Sequence, residues 1–425
     1  MKILKKWFQL AGWQQIIFGL FAGIIAGLIL KDKAHYLQPI GVIFIHLIQM
    51  LVVPVVMTAI VCAVLSIHDF QKMGKIIAKG LAIYAFTMAI AATIGILVAN
   101  GLGVGHGFAG ISQSTAAIDT ATAHTLTLGE ILINFVPTSP VQALATNNVM
   151  QILCFAFLFG IAIRLVGKKA KPVEDLFLSL SDIVFKFAQI VVSFAPYGVF
   201  ALMACVIGQY GLAALLPLIK FVGGVYLSCA LLIIFVYGSL LLLNGINPKY
   251  FFSRITDALI TSYTTASSAA TLPVTMRCAR ENLGINRSVS DFLLPLGATL
   301  NLNGLSAYLT VSAIFAANMF GMTLSISQYF TLVITTVFAA AGAAAIPGSG
   351  LVVMSAVMNS VGIPLAALPI IAGVDRFNDM AQTMTNVTGD LLATTLVAKS
   401  EKMITKVDDV ADEKVDLGKI QLASE

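Results

Sequence analysis

Long apolar runs constrain this chain more than any other feature. The first, residues 13–30 (WQQIIFGLFAGIIAGLIL), is closed by Lys31, and comparable runs lie near 39–67, 76–100, 148–166, 180–208, 217–243, 288–320 and 364–397. At ~1.5 Å of rise per residue, roughly 18 helical residues cross the ~30 Å hydrocarbon core of a bilayer. Only 11% of the 425 residues are charged while 58% are hydrophobic, whereas soluble domains carry about 25% charged residues. The expected fold class is an all-α polytopic membrane protein. The basic start (Lys2, Lys5, Lys6) followed by an apolar run raises a cleaved signal peptide. No small-x-small site follows the run and it has full span length, so it is read as a first span. Cys62, Cys154, Cys205, Cys229 and Cys278 form no C-x-x-C pair, which points to neither disulfides nor a metal cluster.

The net charge of +5 has its basic residues spread between spans. That pattern fits the positive-inside rule and not a nucleic-acid surface. One set of loops carries Lys2, Lys5, Lys6, then Lys72, Lys75, Lys79, then Arg164, Lys168, Lys169, Lys171, then Lys249, Arg254, Arg277, Arg280, Arg287, and finally Lys399 onward. The alternate set holds only Lys31, Lys33 and Lys220, and the connection 101–128 has no Lys or Arg. Both termini are therefore expected on the cytoplasmic side.

Two apolar segments break the alternation. Segment 255–276 lies between basic clusters on the same side and contains TSYTTASSAATLP (261–273), and segment 327–361 has AAAGAAAIPGSG (339–350) at its centre. A single crossing by either would upset the charge parity, so each is expected to enter and return as a re-entrant hairpin. A broken helix filling space is the alternative. Irregular backbone at membrane depth is tolerated where it is buried or lines a cavity, and paired interrupted segments point to a secondary transporter's binding site.

The last run, GVDRFNDMAQTMTNVTGD (373–390), places Asp375, Asp379, Gln382, Thr383, Asn386 and Asp390 on one helical face. A carboxylate at mid-bilayer costs ~2.5 kcal/mol or more, so three in one stripe call for cations, water or polar partners. A polar packing seam needs only Ser, Thr and Gly. In GATLNLNG (297–304) two asparagines and two glycines interrupt an apolar span, a composition that permits unwinding and turns carbonyls toward a cation. An enzyme is not expected: Ser267 and Ser268 have no base at a useful spacing, because all five histidines precede residue 125.

With these residues assembled, the chain resembles the dicarboxylate/amino acid:cation symporters, the glutamate and aspartate transporter family. The likeness covers nearly the whole length and is most specific in VPTSP (136–140), SSAATLPVTMRCA (267–279) through LPLGATLNLNG (294–304), AIPGSG (345–350) and DMAQTMTNVTGD (379–390). The resemblance implies eight transmembrane helices plus two re-entrant helical hairpins, in an elevator-type homotrimer. Scaffold helices would come from 1–72 and 129–212. Transport-domain segments would come from 73–128 and 213–398, with hairpins at about 250–280 and 327–361 and a cytoplasmic tail at 399–425. It implies a bacterial inner membrane and a coupling ion, Na+ or H+, with no organic cofactor.

Carried over by position, Asp379 with Thr383 looks like the acceptor for a substrate ammonium. Asn386, Ser267 and Ser268 look like ligands of its α-carboxylate, with Gly350 and Leu305 in the same substrate site. Asp390 with carbonyls of Gly297, Asn301 and Asn386 looks like one sodium site, and carbonyls of Thr299, Ala340, Ala341 and Ala343 like a second. Three departures stand out. Gln382 replaces the arginine that grips an acidic side chain, Leu305 replaces a threonine contact, and Asn303 replaces the aspartate of a third cation site beside Thr87 and Met88. Losing a charge-assisted partner worth ~1.5–3 kcal/mol per hydrogen bond makes a neutral amino acid the expected cargo. Glutamate, aspartate or a C4-dicarboxylate, with another cationic group in the arginine's role, is the alternative. A channel or a solute sensor is more remote, since polarity is concentrated in the last third.

Overall fold

The computed structural model describes residues 12–65, 70–107, 133, 136–146, 149–343, 345 and 347–405. Lys2, Lys5 and Lys6, most of the 101–128 connection and the tail beyond residue 405 lie outside the described residues. In chain order the longer helices are α1 (Gly12–Leu30), α2 (Gln38–Met50), α3 (Val52–Leu65), α4 (Phe70–Leu102), α5 (Val149–Val166), α6 (Lys171–Ser193), α7 (Ala195–Tyr210) and α8 (Leu215–Leu231). They continue with α9 (Thr256–Thr265), α10 (Ser268–Arg277), α11 (Arg287–Leu300), α12 (Asn303–Met319), α13 (Ile326–Ala341), α14 (Ser349–Ser360) and α15 (Leu368–Ser400). Among the described residues there is no strand, only an isolated bridge between Ile285 and Ile404.

Among the described residues, five helical stretches are long and apolar enough to cross a bilayer: Gln14–Cys62, Gly74–Leu102, Gln151–Ser193, Ala195–Leu243 and Arg287–Met319. The sequence suggested eight separate spans. The difference has a local cause, because short 3-10 turns at Lys31–Leu37, Gly167–Ala170 and Gly211–Ala214 join one helix directly to the next. Three of the stretches thereby reach 43 to 49 residues, well beyond the ~20 that one crossing requires. α15, at 33 residues, is long enough but too polar to count among them.

The backbones of α1 and α7 approach closely. Gly19, Gly23 and Gly27 recur every four residues on α1, and a Cβ added at each would lie 2.4, 2.5 and 2.7 Å from the carbonyl oxygens of Pro196, Phe200 and Ala204. Small residues at this spacing let two backbones touch where lipid supplies no hydrophobic drive for association. α3 packs on α5 and α6, and α2 on α7, while α4 packs along α12. α15 runs through the middle, touching α4, α7, α8, α9, α11 and α12.

Two helix–turn–helix units occupy the places expected for the hairpins. α9 and α10 are 10 residues each, and α13 and α14 are 16 and 12, all below the ~20 residues of a crossing. The first unit turns at Ala266, which takes a left-handed φ of 50°, and Ser267 caps α10 by accepting from the Ala270 N–H at 3.2 Å. Pro273, the last residue of the hydroxyl-rich stretch 261–273, lies inside α10.

At the basic end of the molecule, Lys79 pairs with Glu401 and donates to Ser400 Oγ, tying α4 to the end of α15. The hydrogen bond from Lys79 holds the Glu401 carboxyl below its ordinary range. Gly23→Leu drives a branched side chain into the α7 backbone. It is expected to cost about 1–3 kcal/mol, read as a lower melting temperature and lower yield of folded protein in detergent than Ala22→Leu on the same helix.

Candidate functional site

The polar stripe of α15 is buried throughout, with Asp375, Asp379, Gln382, Thr383, Asn386 and Asp390 all 8% exposed or less. Each carboxylate draws a partner from a different element. Tyr308 of α12 donates to Asp375 Oδ1 at 2.6 Å. The Gly348 N–H, at the tip of the second helix–turn–helix unit, donates to Asp379 Oδ2 at 3.1 Å, and the Arg376 guanidinium stands 3.7 Å from the same oxygen. Asn301 Nδ2 donates to Asp390 Oδ1 at 2.8 Å.

The two tips meet above this stripe. Ser267 Oγ and the Ala269 N–H both donate to the carbonyl of Ala345, at 3.0 and 3.3 Å. The tips thus close a small cavity lined by Ser268, Leu305, Asp379, Gln382, Thr383 and Asn386, together with Ala266, Leu302, Ala345 and Ser349. Most residues assigned to the solute from sequence therefore share one space. Ser267 and Gly350 do not line it. Ser267 spends its hydroxyl on the opposite tip, and Gly350 lies against Leu305 and Tyr308, where an added Cβ would come within 3.0 Å of both side chains. The Asn386 side-chain oxygen accepts from the Gly304 N–H at 2.7 Å, which leaves its amide N–H groups as the donor end. The Gln382 Nε2 is buried and has no partner.

The expected break in GATLNLNG is present: α11 stops at Leu300, α12 starts at Asn303, and Asn301 and Leu302 lie between them outside helical geometry. A helix end leaves its last carbonyls without intrahelical donors, beside Asp390. Gly297 matters here for space, since a Cβ on it would sit 2.6 Å from Asp390 Oδ1 and 2.8 Å from the Tyr84 hydroxyl. Among the described residues no basic side chain pairs with Asp390, and the Asn301 Oδ1 is buried without a partner. A buried carboxylate, an orphaned amide oxygen and carbonyls at a helix break are hard oxygen donors that suit a small cation. These residues fit a coupling ion, whose charge would offset that of Asp390.

The other assigned ion positions divide. Thr299 is in the last turn of α11, while Ala340 and Ala341 end α13 and Ala343 follows it. No hydrogen bond joins these two carbonyl-bearing ends among the described residues. At the position where the resemblance implies a degraded third site, the Thr87 hydroxyl donates to its own helix, to the carbonyls of Ile83 and Tyr84. Asn303 Nδ2 donates to the Tyr237 hydroxyl at 2.8 Å, and that hydroxyl donates to the Thr385 carbonyl. An amide thus occupies the place of the charge.

The sequence reading missed Tyr84, Tyr237 and Tyr308, three fully buried tyrosines beside the stripe. The available signal was a phenol inside an apolar run, since a buried hydroxyl needs a partner. It also left Arg376 unassigned.

A polar helix buried among apolar ones, with two short helix–turn–helix tips closed over it, is the build of a membrane carrier. A family model, the sodium:dicarboxylate symporter family, matches residues 13–400, and the chain belongs to that family. It is 36% identical to the proton/sodium-glutamate symport protein of Geobacillus stearothermophilus, over 91% of this chain and 94% of that one. It is 36% identical to the proton/glutamate-aspartate symporter of Escherichia coli, over 99% and 98%. It is 33% identical to the C4-dicarboxylate transport protein of Rhodospirillum rubrum, over 93% and 89%. The chain is therefore a multi-pass membrane protein of a symporter family, and its glutamate-transporting relatives are named for sodium or proton symport.

A cation held at Asp390 should stabilise the folded state by RT ln(1 + [L]/Kd), about 2.7 kcal/mol at 100 times Kd. Melting in sodium, at several pH values, and in choline measures this. Asp390→Asn should melt higher than wild type without the ion, because an unpaired buried charge is gone, and should show no ion-dependent rise.

Proposed function

We propose that this protein is a secondary active symporter that takes up an acidic amino acid together with sodium ions or protons. The observation that carries the symport reading is the single helix α15, which holds both a cavity-lining carboxylate, Asp379, and a buried carboxylate, Asp390, that has no basic partner among the described residues. Occupation of one is felt at the other through the same rigid element and through the Asn301–Leu302 break. That is a physical basis for linking ion binding to solute binding.

The relatives' names favour glutamate, aspartate or a C4-dicarboxylate over the neutral amino acid suggested by Gln382. Asp379 orders these further. An ammonium group neutralises it, whereas a dicarboxylate would bring like charges together unless a proton or cation intervened. Glutamate and aspartate are thus the preferred cargo. The neutral amino acid remains the second reading, favoured by the unpartnered Gln382 amide in the cavity.

Transport follows an alternating-access cycle of elevator type. Helices α1–α3 and α5–α7 form the static scaffold of residues 1–72 and 129–212. The moving part comprises 73–128 and 213–398, with α4, α8, both re-entrant hairpins, α11, α12 and α15. Among the described residues, two tip-to-tip hydrogen bonds, the Gly348 N–H bond to Asp379 and the Arg376 bond to the Thr265 carbonyl hold the tips closed over the cavity. Opening therefore disturbs little of the packed helix core. The protein works as a homotrimer in a bacterial inner membrane with both termini cytoplasmic. Thr299, Ala340, Ala341 and Ala343 form a second ion site when the second tip is closed, and Asn303 makes the third position ion-free.

Proteoliposomes with an imposed sodium or proton gradient test this reading. Accumulation of labelled glutamate or aspartate is expected, with Asp379→Asn lowering it at least roughly 100-fold, the scale of a lost buried charge pair, at an unchanged elution volume. Stronger competition by serine, alanine or glutamine than by glutamate would replace the acidic reading with the neutral one. No gradient-driven uptake of any of these solutes would reject symport of this class.

A further inference from the structure

Arg376 is a charged side chain beside the site that neither the family motifs nor the ion positions account for. Its neighbour in sequence, Asp375, is not its ion-pair partner: that carboxylate accepts from Tyr308 at 2.6 Å. Arg376 instead points along α15, with one terminal nitrogen 3.7 Å from Asp379 Oδ2 and the other donating to the carbonyl of Thr265 at 3.3 Å. Thr265 is the last helical residue before the first tip. The Arg376 side chain is 13% exposed, and its Nε is buried with no partner. A guanidinium has five N–H donors, and here they are far from satisfied by protein.

The space around it is also left over. A second, larger cavity borders the solute cavity at Asp379 and Ser349, which line both. Its polar wall is Asp375, Arg376 and the second tip, and its other walls are apolar residues such as Phe44, Ile48 and Val199. Among the described residues, Arg376 is the only basic one lining either cavity. Gln382 and Arg376 stand three residues to either side of Asp379, about one helical turn away in each direction. A solute anchored on Asp379 by its ammonium can therefore extend its side chain one way toward an amide or the other way toward a guanidinium.

We infer that Arg376 is the specificity-determining residue of this carrier and holds the distal carboxylate of an acidic amino acid. This rests on the acidic-solute reading above. With no solute bound, Arg376 neutralises Asp379. When a substrate ammonium takes its place on that carboxylate, the guanidinium is released to form charge-assisted, fork-shaped hydrogen bonds with the second carboxylate. The role of charge selection thus falls to a residue two turns from Gln382, on the same helix face as Asp379.

Binding of L-glutamate and L-glutamine, which match in shape and differ in charge, tests the inference on purified full-length protein in saturating sodium at fixed pH. Wild type is expected to prefer glutamate. Arg376→Met should weaken glutamate roughly 10- to 100-fold, the scale of one lost charge-assisted pair, and leave glutamine within about 3-fold. Arg376→Lys should recover part of the preference, since it keeps the charge and loses the fork. Equal weakening of both ligands in Arg376→Met, including loss of both, would overturn the inference, because a clamp on Thr265 serves any solute alike. An unchanged glutamate-to-glutamine ratio would also overturn it. Wild type that prefers glutamine would instead reject the acidic-solute reading itself, before any variant is compared.

Discussion

Buried carboxylates on one helix set the terms for the rest of this molecule. Taking an ion out of water costs several kcal/mol even after relaxation, and only well-placed donors or an opposite charge offset it. α15 carries three, and each recruits a different piece of structure. Tyr308 of α12 reaches Asp375, the Gly348 N–H of the second tip reaches Asp379, and Asn301 at the helix break reaches Asp390. Remove the carboxylates, and neither the interrupted span nor the closed tips have an electrostatic reason to sit where they do.

The irregular backbone and the close packing follow from the same need. A break at Asn301 and Leu302 frees carbonyls beside Asp390, and the left-handed Ala266 turns α9 back so that α10 begins at the cavity. Glycine permits the approach of α12 to α15, where a Cβ on Gly304 would lie 2.4 Å from the Gln382 carbonyl oxygen. A π-helical turn at Leu232–Tyr237 follows α8, and its last residue holds Asn303 and the backbone of α15. Such turns are common where a helix must aim one side chain at a functional site.

The charge of the cargo is where local motif and assembled site part company. Gln382 in place of an arginine argues for a neutral solute as long as each motif position is judged alone. The relatives that share a third of its residues are named for acidic solutes. Arg376 is a physical way to reconcile the two, because a guanidinium one turn on the other side of Asp379 brings the same charge to the same anchored solute. Side chains as long as arginine act at a distance from their own Cα, so the position of a charge need not track the position of a motif.

Much was legible in the chain itself. Span-length apolar runs dictate membrane helices because lipid offers backbone groups no other partner. The 3.6-residue period puts Asp375 through Asp390 on one face, and the Asn and Gly content of 297–304 marks the break. These are local properties, set by spacing and composition within one segment. What tertiary structure alone decided is which groups meet. Ser267 is turned away to the opposite tip, Tyr308 and not Arg376 takes Asp375, and Asn303 is tied to Tyr237. Those outcomes depend on the register of one helix against another, and hydrogen-bond reach of about 3 Å is far shorter than anything a hydrophobic pattern can specify.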